Sequence, residues 1–323
     1  MTTPLLSIVT PTLGQFSDAW LRHYLAVRGD VEIVLVYPLD VPPRPLPDPR
    51  VRVLQSPFRG ELMQRLVGLA NARGRYVLAL DDDDCVHPAV TTLTTAYFER
   101  FPDSWVLRLR LDRVPASTAA ALDQPWAATP DAATLPVVPP EAAGAYENVA
   151  VLRAVPICPL DARVDWRLLL LPWGRVERRD MHGPHMENFN NRVWRGDLVR
   201  GVLPDVIRSM RIVGALRWVP ATGFDRVLSL FIQARHFQPG LIVGHWLPAP
   251  AQVRVLVKPA TQRYVRFHAA SHALLVKAYP RRGYLWNLLF STLHGIPSGA
   301  VDLIRRRVRP ETGQVPTTGD EAR

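Results

Sequence analysis

Apolar positions in the first part of the chain come as short runs separated by stretches with helical spacing. Leu5 to Thr10 (LLSIVT) and Val31 to Tyr37 (VEIVLVY) are rich in β-branched residues and too short for helices, so both predict strands. Between them, Ser17 to Val27 has the spacing of a helix. A third run, Val51 to Leu54, precedes Gly60 to Arg73, where Leu62, Leu66, Leu69 and Ala70 share one helical face. Tyr76 to Leu80 predicts a further apolar strand. Strands and helices in this alternation predict an α/β fold with a parallel sheet covered by helices, and ligands then collect at the carboxyl ends of the strands.

Further along, Ala89 to Arg100 predicts a helix, and Trp105 to Leu111 (WVLRLRL) alternates apolar residues with arginine, as a strand with one exposed edge or face does. Pro115 to Ala145 is rich in Ala, Pro, Thr and Asp without periodicity, and it predicts a long mobile excursion. Val149 to Ile157 and Arg167 to Leu171 are strand-like, whereas Asp197 to Met210 and Thr222 to Arg235 have helical character. From Gln252 onward, apolar clusters mix with arginines at helical spacing. The expected organisation is one domain over 1–250, a basic amphipathic helical extension over 251–310 and a disordered tail over 311–323. Within the domain, a donor half (1–112) and an acceptor half (149–250) flank the excursion, 113–148. No apolar run reaches the roughly 18 residues a membrane span needs.

Composition changes this picture only in part. Hydrophobic residues at 48 % and charged residues at 21 % exclude wholesale disorder. An excess of 39 basic over 29 acidic side chains gives a net charge of +10, which attracts phosphates, sugar nucleotides, nucleic acid or anionic lipid. Lys258 and Lys277 are the only lysines, so arginine carries nearly all of it. Cys85 and Cys158 are too few for a disulfide framework or a cysteine zinc site, and the start lacks a basic leader. A cytoplasmic, reducing setting is expected, with or without contact to the inner face of the membrane.

The candidate chemistry lies in Asp81 to Asp84, four carboxylates directly behind a strand. Adjacent carboxylates repel, and a hard divalent cation such as Mg²⁺ or Mn²⁺ suits such a set, taking one or two of them together with substrate phosphates. The flanking stretch GELMQRLVGLANARGRYVLALDDDDCVHP, Gly60 to Pro88, together with SIVTPTL, Ser7 to Leu13, resembles the donor half of family 2 glycosyltransferases of the GT-A fold. That family has a strand closed by a P-T turn, an arginine-bearing helix, an A-x-G-x-Y entry to a strand, and then L-D-x-D-D-x-x-x-P. Ala72, Gly74, Tyr76, Leu80, Asp81, Asp83, Asp84 and Pro88 carry the resemblance, which is strongest over residues 5–90.

The resemblance implies a Rossmann-like GT-A fold and metal-dependent, inverting transfer of a sugar from a nucleotide donor, a UDP-sugar, to a hydroxyl acceptor. It implies that Asp83 ligates Mg²⁺ or Mn²⁺ with Asp81 as a second metal contact. Asp81 also meets the ribose, Asp82 takes the variable position and Asp84 supports. Pro11 and Thr12 would lie against the base, and Arg65 would either face the donor or stand as a solvent-facing arginine. Where the family has acidic residues at the end of its second strand, this chain offers either Asp40 as a substitute or Tyr37 as a stacking partner.

Inverting transfer needs a base for the acceptor hydroxyl, which the family supplies from an E-D motif. No clean ED occurs here. Asp225, near a predicted helix start, and Glu187, in a Gly/Pro-broken loop with His182, His185 and Asn190, are the two candidates. No Q-x-x-R-W stretch follows, so a non-processive enzyme is expected, acting on a glycan, lipid-linked or small-molecule acceptor. In the C-terminal segment, Tyr264, Phe267, Tyr279, Tyr284, Trp286 and Phe290 accompany arginines, as in helices that touch anionic membrane or that pack on the domain. Rival classes are a nucleotidyltransferase, for which PTLGQFSD lacks the basic Gly-rich loop, and a degenerate, non-catalytic binding protein. A nucleic-acid binder is disfavoured because no recognised module is present.

Overall fold

Strands β1 (Leu6–Pro11) and β2 (Val31–Tyr37) are buried at every position, so both faces of their sheet are covered. In the computed structural model, which describes residues 3–58, 60–115, 120, 122–140, 149–170, 176–181, 183, 185–211, 221–257 and 268–294, the helices divide between those faces. Helix α1 (Asp18–Leu25) lies between β1 and β2; after β3 (Val51–Gln55) come α2 (Glu61–Asn71), β4 (Tyr76–Ala79), β5 (Asp84–Val86) and α3 (Val90–Arg100). Leu6 and Ile8 of β1 pack with Trp20, Tyr24, Leu93 and Tyr97 from α1 and α3. Val9 turns to the other face, against Leu62, Leu66 and Leu69 of α2.

The chain continues through β6 (Val106–Arg108), β7 (Leu111–Pro115), β8 (Val137–Val138), β9 (Leu152–Pro156), α4 (Arg167–Leu170) and β10 (Arg192–Arg195). Helices α5 (Gly196–Arg211) and α6 (Ala221–Arg235), strands β11 (Ile242–Trp246) and β12 (Val253–Val257), and α7 (Ala269–Ala278) follow, and 283–294 is helical. Among the described residues, nine strands form one sheet in the order β3-β2-β1-β4-β10-β6-β11-β9-β8. The first four are parallel, β10 runs against both β4 and β6, and β11 is again parallel to β6. This is the expected α/β class: a large, mostly parallel central sheet flanked by helices.

A second sheet, β5-β12-β7, stands beside it. Its middle strand corrects two expectations. The segment beyond 250 opens on a strand: Val253, Val255 and Val257 alternate with Arg254 and Leu256, Val253 and Val255 pair with both β5 and β7, and Val257 pairs with β7. The run Trp105 to Leu111 is likewise two strands, β6 in the large sheet and β7 in the small one. Arg167 to Leu171 is also not a strand over its described residues: Asp165 accepts the Arg167 backbone N–H (3.3 Å) and starts the short helix α4.

Within the expected excursion, the described residues pack on the domain. Ala132 is buried, and Arg254 lies over the Trp126 ring at 4.0 Å while donating to the carbonyls of Leu122, Gln124 and Pro125. Tyr284 and Phe290, expected to face either lipid or the domain, are buried in the domain. Tyr264, Phe267, the tail 311–323 and His182 lie outside the described residues.

Candidate active site

Asp81 to Asp83 lead from β4 in the large sheet to β5 in the small one, which Asp84 opens, so both ends of the turn are pinned. Asp84 N–H donates to the Asp81 carbonyl at 3.1 Å, and Trp20 Nε1 donates to the Asp84 carbonyl at 2.9 Å. The turn forms one wall of a cleft of about 670 Å³ at the carboxyl ends of β1, β2 and β4. That volume lies within the roughly 300–1,000 Å³ typical of small-molecule sites.

Of the residues singled out in the sequence, Pro11, Thr12, Asp40, Asp81, Asp82 and Asp83 all line this cleft. Thr12 Oγ1 donates to Asp82 Oδ2 at 2.8 Å and accepts from Gly14 N at 2.9 Å, tying the end of β1 to the turn. Tyr37 takes no part in the lining: it is fully buried and packs in the core, so at the end of β2 the cleft is met by Asp40.

Arg65 stands behind the wall rather than in it. It is 4 % exposed and donates to Glu61, to Asp81 and, at 3.1 Å, to Asn190 Oδ1. Burial on its own would lower its proton affinity, but the charges of Asp81 and Glu61 outweigh that and raise it. Its role in this geometry is to position Asp81. Asp84 is 1 % exposed; burial first, and then the charges of Asp81 and Asp83, push its carboxyl well above the usual range. Its Oδ1 is buried without a partner among the described residues.

Gln64, Phe16 and Glu61 also line the cleft and carry no motif in the sequence. Gln64 is 2 % exposed, and its Nε2 donates to the carbonyls of Val36 (2.6 Å) and Thr12 (3.0 Å), bracing the ends of β2 and β1. A glutamine within two turns of α2 that bury Leu62, Leu66 and Leu69 is the only signal for it in the sequence.

The two candidate bases lie outside the lining of the cleft. Asp225, on α6, is half-buried and accepts from the backbone N–H groups of Phe189 (2.5 Å) and Asn190. Burial raises its carboxyl above the usual range, against the pull of Arg192 and of those two amides. Through Asn190 and Arg65 it connects to Asp81. Glu187 is bound into a separate cluster: Tyr284 donates to it, Arg226 Nε lies 2.9 Å from Oε2 and Arg178 Nη1 3.7 Å from Oε1. His185 Nε2 is 3.0 Å from the Tyr284 hydroxyl, in the same cluster.

Five carboxylates, Asp40, Glu61, Asp81, Asp82 and Asp83, face the cleft, and no lysine or arginine is among its described lining residues. An anionic ligand would be repelled unless a cation came with it. Hard carboxylate oxygens suit Mg²⁺ or Mn²⁺. Among the described residues no three His, Cys, Asp or Glu side chains close on one point, so part of the coordination would come from the ligand itself.

No protein-family model and no characterised protein sequence matches the chain. Solved structures do. Residues 1–349 of TarS from S. aureus superpose with a TM-score of 0.50 at 12 % identity, over 94 % of this chain and 75 % of that one. The fold is shared with TarS. The same TarS fragment is known in complex with UDP (TM-score 0.46, 14 % identity, 85 % of this chain) and with UDP-GlcNAc (0.48, 13 %, 85 %). The chain spans 65 % and 66 % of the lengths of those two.

Proposed function

We propose that this chain is a glycosyltransferase that moves a sugar from a nucleotide-diphosphate donor, a UDP-sugar, to a hydroxyl acceptor with inversion. The observation that carries the reading is the acidic cleft at the carboxyl ends of β1, β2 and β4, walled by Asp81 to Asp83. The TarS complexes with UDP and UDP-GlcNAc support the choice of donor class.

In this reading Pro11 and Phe16 receive the base, and Asp40 and Asp81 meet the nucleoside. Asp83, with Asp81, holds a divalent cation, whose contribution is to neutralise the diphosphate as it leaves. Arg65 fixes Asp81, and Thr12 fixes Asp82, so both carboxylates are oriented before the donor arrives. Asp225 is our choice of proton acceptor: its raised carboxyl suits a base, and Asn190 and Arg65 link it to the Asp81 end of the cleft. Glu187 is neutralised by Arg178 and Arg226.

Calorimetric binding of UDP, GDP and dTDP, each with and without Mn²⁺, tests the donor site in the wild type and in Asp83→Ala. Metal-dependent binding of UDP that disappears in the variant is the expected result. If no nucleotide binds under either condition, the donor site is wrong.

A further inference from the structure

The sheet register aligns an unusual set of side chains beyond the acidic cleft. Arg192 of β10 pairs with Arg108 of β6, Arg108 pairs with Trp246 of β11, and Trp246 pairs with Arg153 of β9. Directly paired residues project to the same face, so three arginines and a tryptophan form one row across four neighbouring strands. The guanidinium of Arg108 lies 4.0 Å from the Trp246 ring centroid, that of Arg153 5.4 Å and that of Arg110, just past β6, 5.5 Å.

Like charges directly opposite one another destabilise a sheet. The charged neighbours that act on Arg108 are Arg192, Arg110 and Arg153, which after burial lower its proton affinity, to about 9. No carboxylate pairs with Arg108 or Arg110 among the described residues, and Asp225 acts on Arg192. Arg192 Nε and Trp246 Nε1 are buried without a hydrogen-bond partner in the described structure. Packing the fold does not require this arrangement, since apolar side chains would cover the same strands without repulsion.

The row begins where the cleft ends. The cleft lies at the carboxyl ends of β2, β1 and β4, the row comes from β10, β6, β11 and β9, and these strands are consecutive in the sheet. Three strand spacings span roughly 14 Å, longer than one diphosphate. Arg108 already lies over the Trp246 ring, so the indole is not an open platform for a nucleobase. We propose that Arg192, Arg108, Arg153 and Arg110, braced by Trp246, bind an acceptor chain that carries oxyanions, phosphate or carboxylate, at successive units. This deepens the transferase reading above and rests on it.

The test is calorimetry on the full chain with four probes: short-chain inorganic polyphosphate, oligogalacturonate, a neutral dextran oligomer and oligo(dT). The proteins are wild type, Arg108→Gln, Arg110→Gln and a remote control, Arg208→Gln, whose side chain is 76 % exposed on α5. Polyphosphate or oligogalacturonate should bind the wild type, several-fold more weakly in Arg108→Gln and Arg110→Gln, and unchanged in Arg208→Gln. The tighter of the two names the oxyanion. UDP affinity with Mn²⁺ should be the same in all four proteins, and Arg108→Gln should melt no lower than wild type because repulsion is relieved. Equal weakening by Arg208→Gln, equal binding of dextran, or tightest binding of oligo(dT) would each overturn the proposal. Failure of the wild type to bind UDP would instead remove the transferase reading, so the two failures are separable.

Discussion

At the scale of single residues, the carboxylate turn is held by groups with opposite electrostatic tasks. Arg65 spends its charge on Asp81 and Glu61 from a buried position. Arg65→Met should cost about 1.5–3 kcal/mol in urea denaturation, the value of hydrogen bonds to charged groups. It should stay below the ~3–5 kcal/mol of a fully buried pair, because Asp81 and Glu61 are half-exposed and water takes over part of the loss. Asp84 behaves the other way. Its folded carboxyl titrates well above the unfolded value near 4. The stability it contributes is therefore complete below about pH 4 and lost as pH rises through its folded value. Asp84→Asn, without divalent ions, should melt above wild type at pH 8, with the gap closing toward pH 4. A lower melting temperature for the variant at pH 8 would refute this account of Asp84.

That Asp81 to Asp83 and Thr12 come together in the lining of one cleft was legible because their motif ties residue type to a strand end. Arg65 was legible as a residue but not in its position. Whether it faces solvent or stands buried behind Asp81 depends on where Asn190, 125 residues later, meets α2. For Asp225 the sequence shows a helix start, while its engagement by the Phe189 and Asn190 amides belongs to the tertiary structure.

At the scale of elements, close approach governs how the site is framed. A Cβ on Gly68 of α2 would stand 2.4 Å from Val9 Cγ1 and 2.9 Å from Val36 Cγ2. Gly68→Ala should therefore cost about 1–3 kcal/mol by overpacking, measured by thermal or urea denaturation. It should also weaken UDP binding, because α2 carries Gln64, which braces the ends of β1 and β2. Gly74, part of the stretch that resembles the family's, has a comparable reason. Its N–H donates to Ser7 Oγ at 2.6 Å, and a Cβ there would stand 2.5 Å from the Ser7 nitrogen.

Strands buried on both faces, such as β1 and β2, were readable from their apolar runs. The strand β12 was hidden because its V-R-V-L-V run opens a segment whose later arginines and apolar residues have helical spacing. Only pairing with β5 and β7 distinguishes the two.

At the scale of the whole molecule, the net charge of +10 and the acidic cleft are opposed. One edge of the large sheet is acidic over β2, β1 and β4 and basic over β10, β6, β11 and β9. A nucleotide should therefore stabilise the protein only in company with a divalent ion. UDP at 100 times its Kd with Mn²⁺ should add about 2.7 kcal/mol, read as a rise in melting temperature, and UDP with EDTA should add none. Equal stabilisation by UDP in EDTA would show that the carboxylates do not recruit a cation. Among the described residues no helix is long and apolar enough to cross a membrane.

The sequence by itself determined the α/β class, the strand ends that carry Pro11, Thr12 and Asp81 to Asp84, and the helix bearing Arg65. Each depends on local periodicity or on residues adjacent in the chain. Tertiary structure alone decided that Arg65 stands behind Asp81, that Tyr37 is core while Asp40 meets the cleft, and that Asp225 and Glu187 belong to different networks. It also decided that Arg108, Arg153 and Arg192 share one row. Those relations are set by strand order and register between distant segments, and register is a property of pairing that no single run of residues contains.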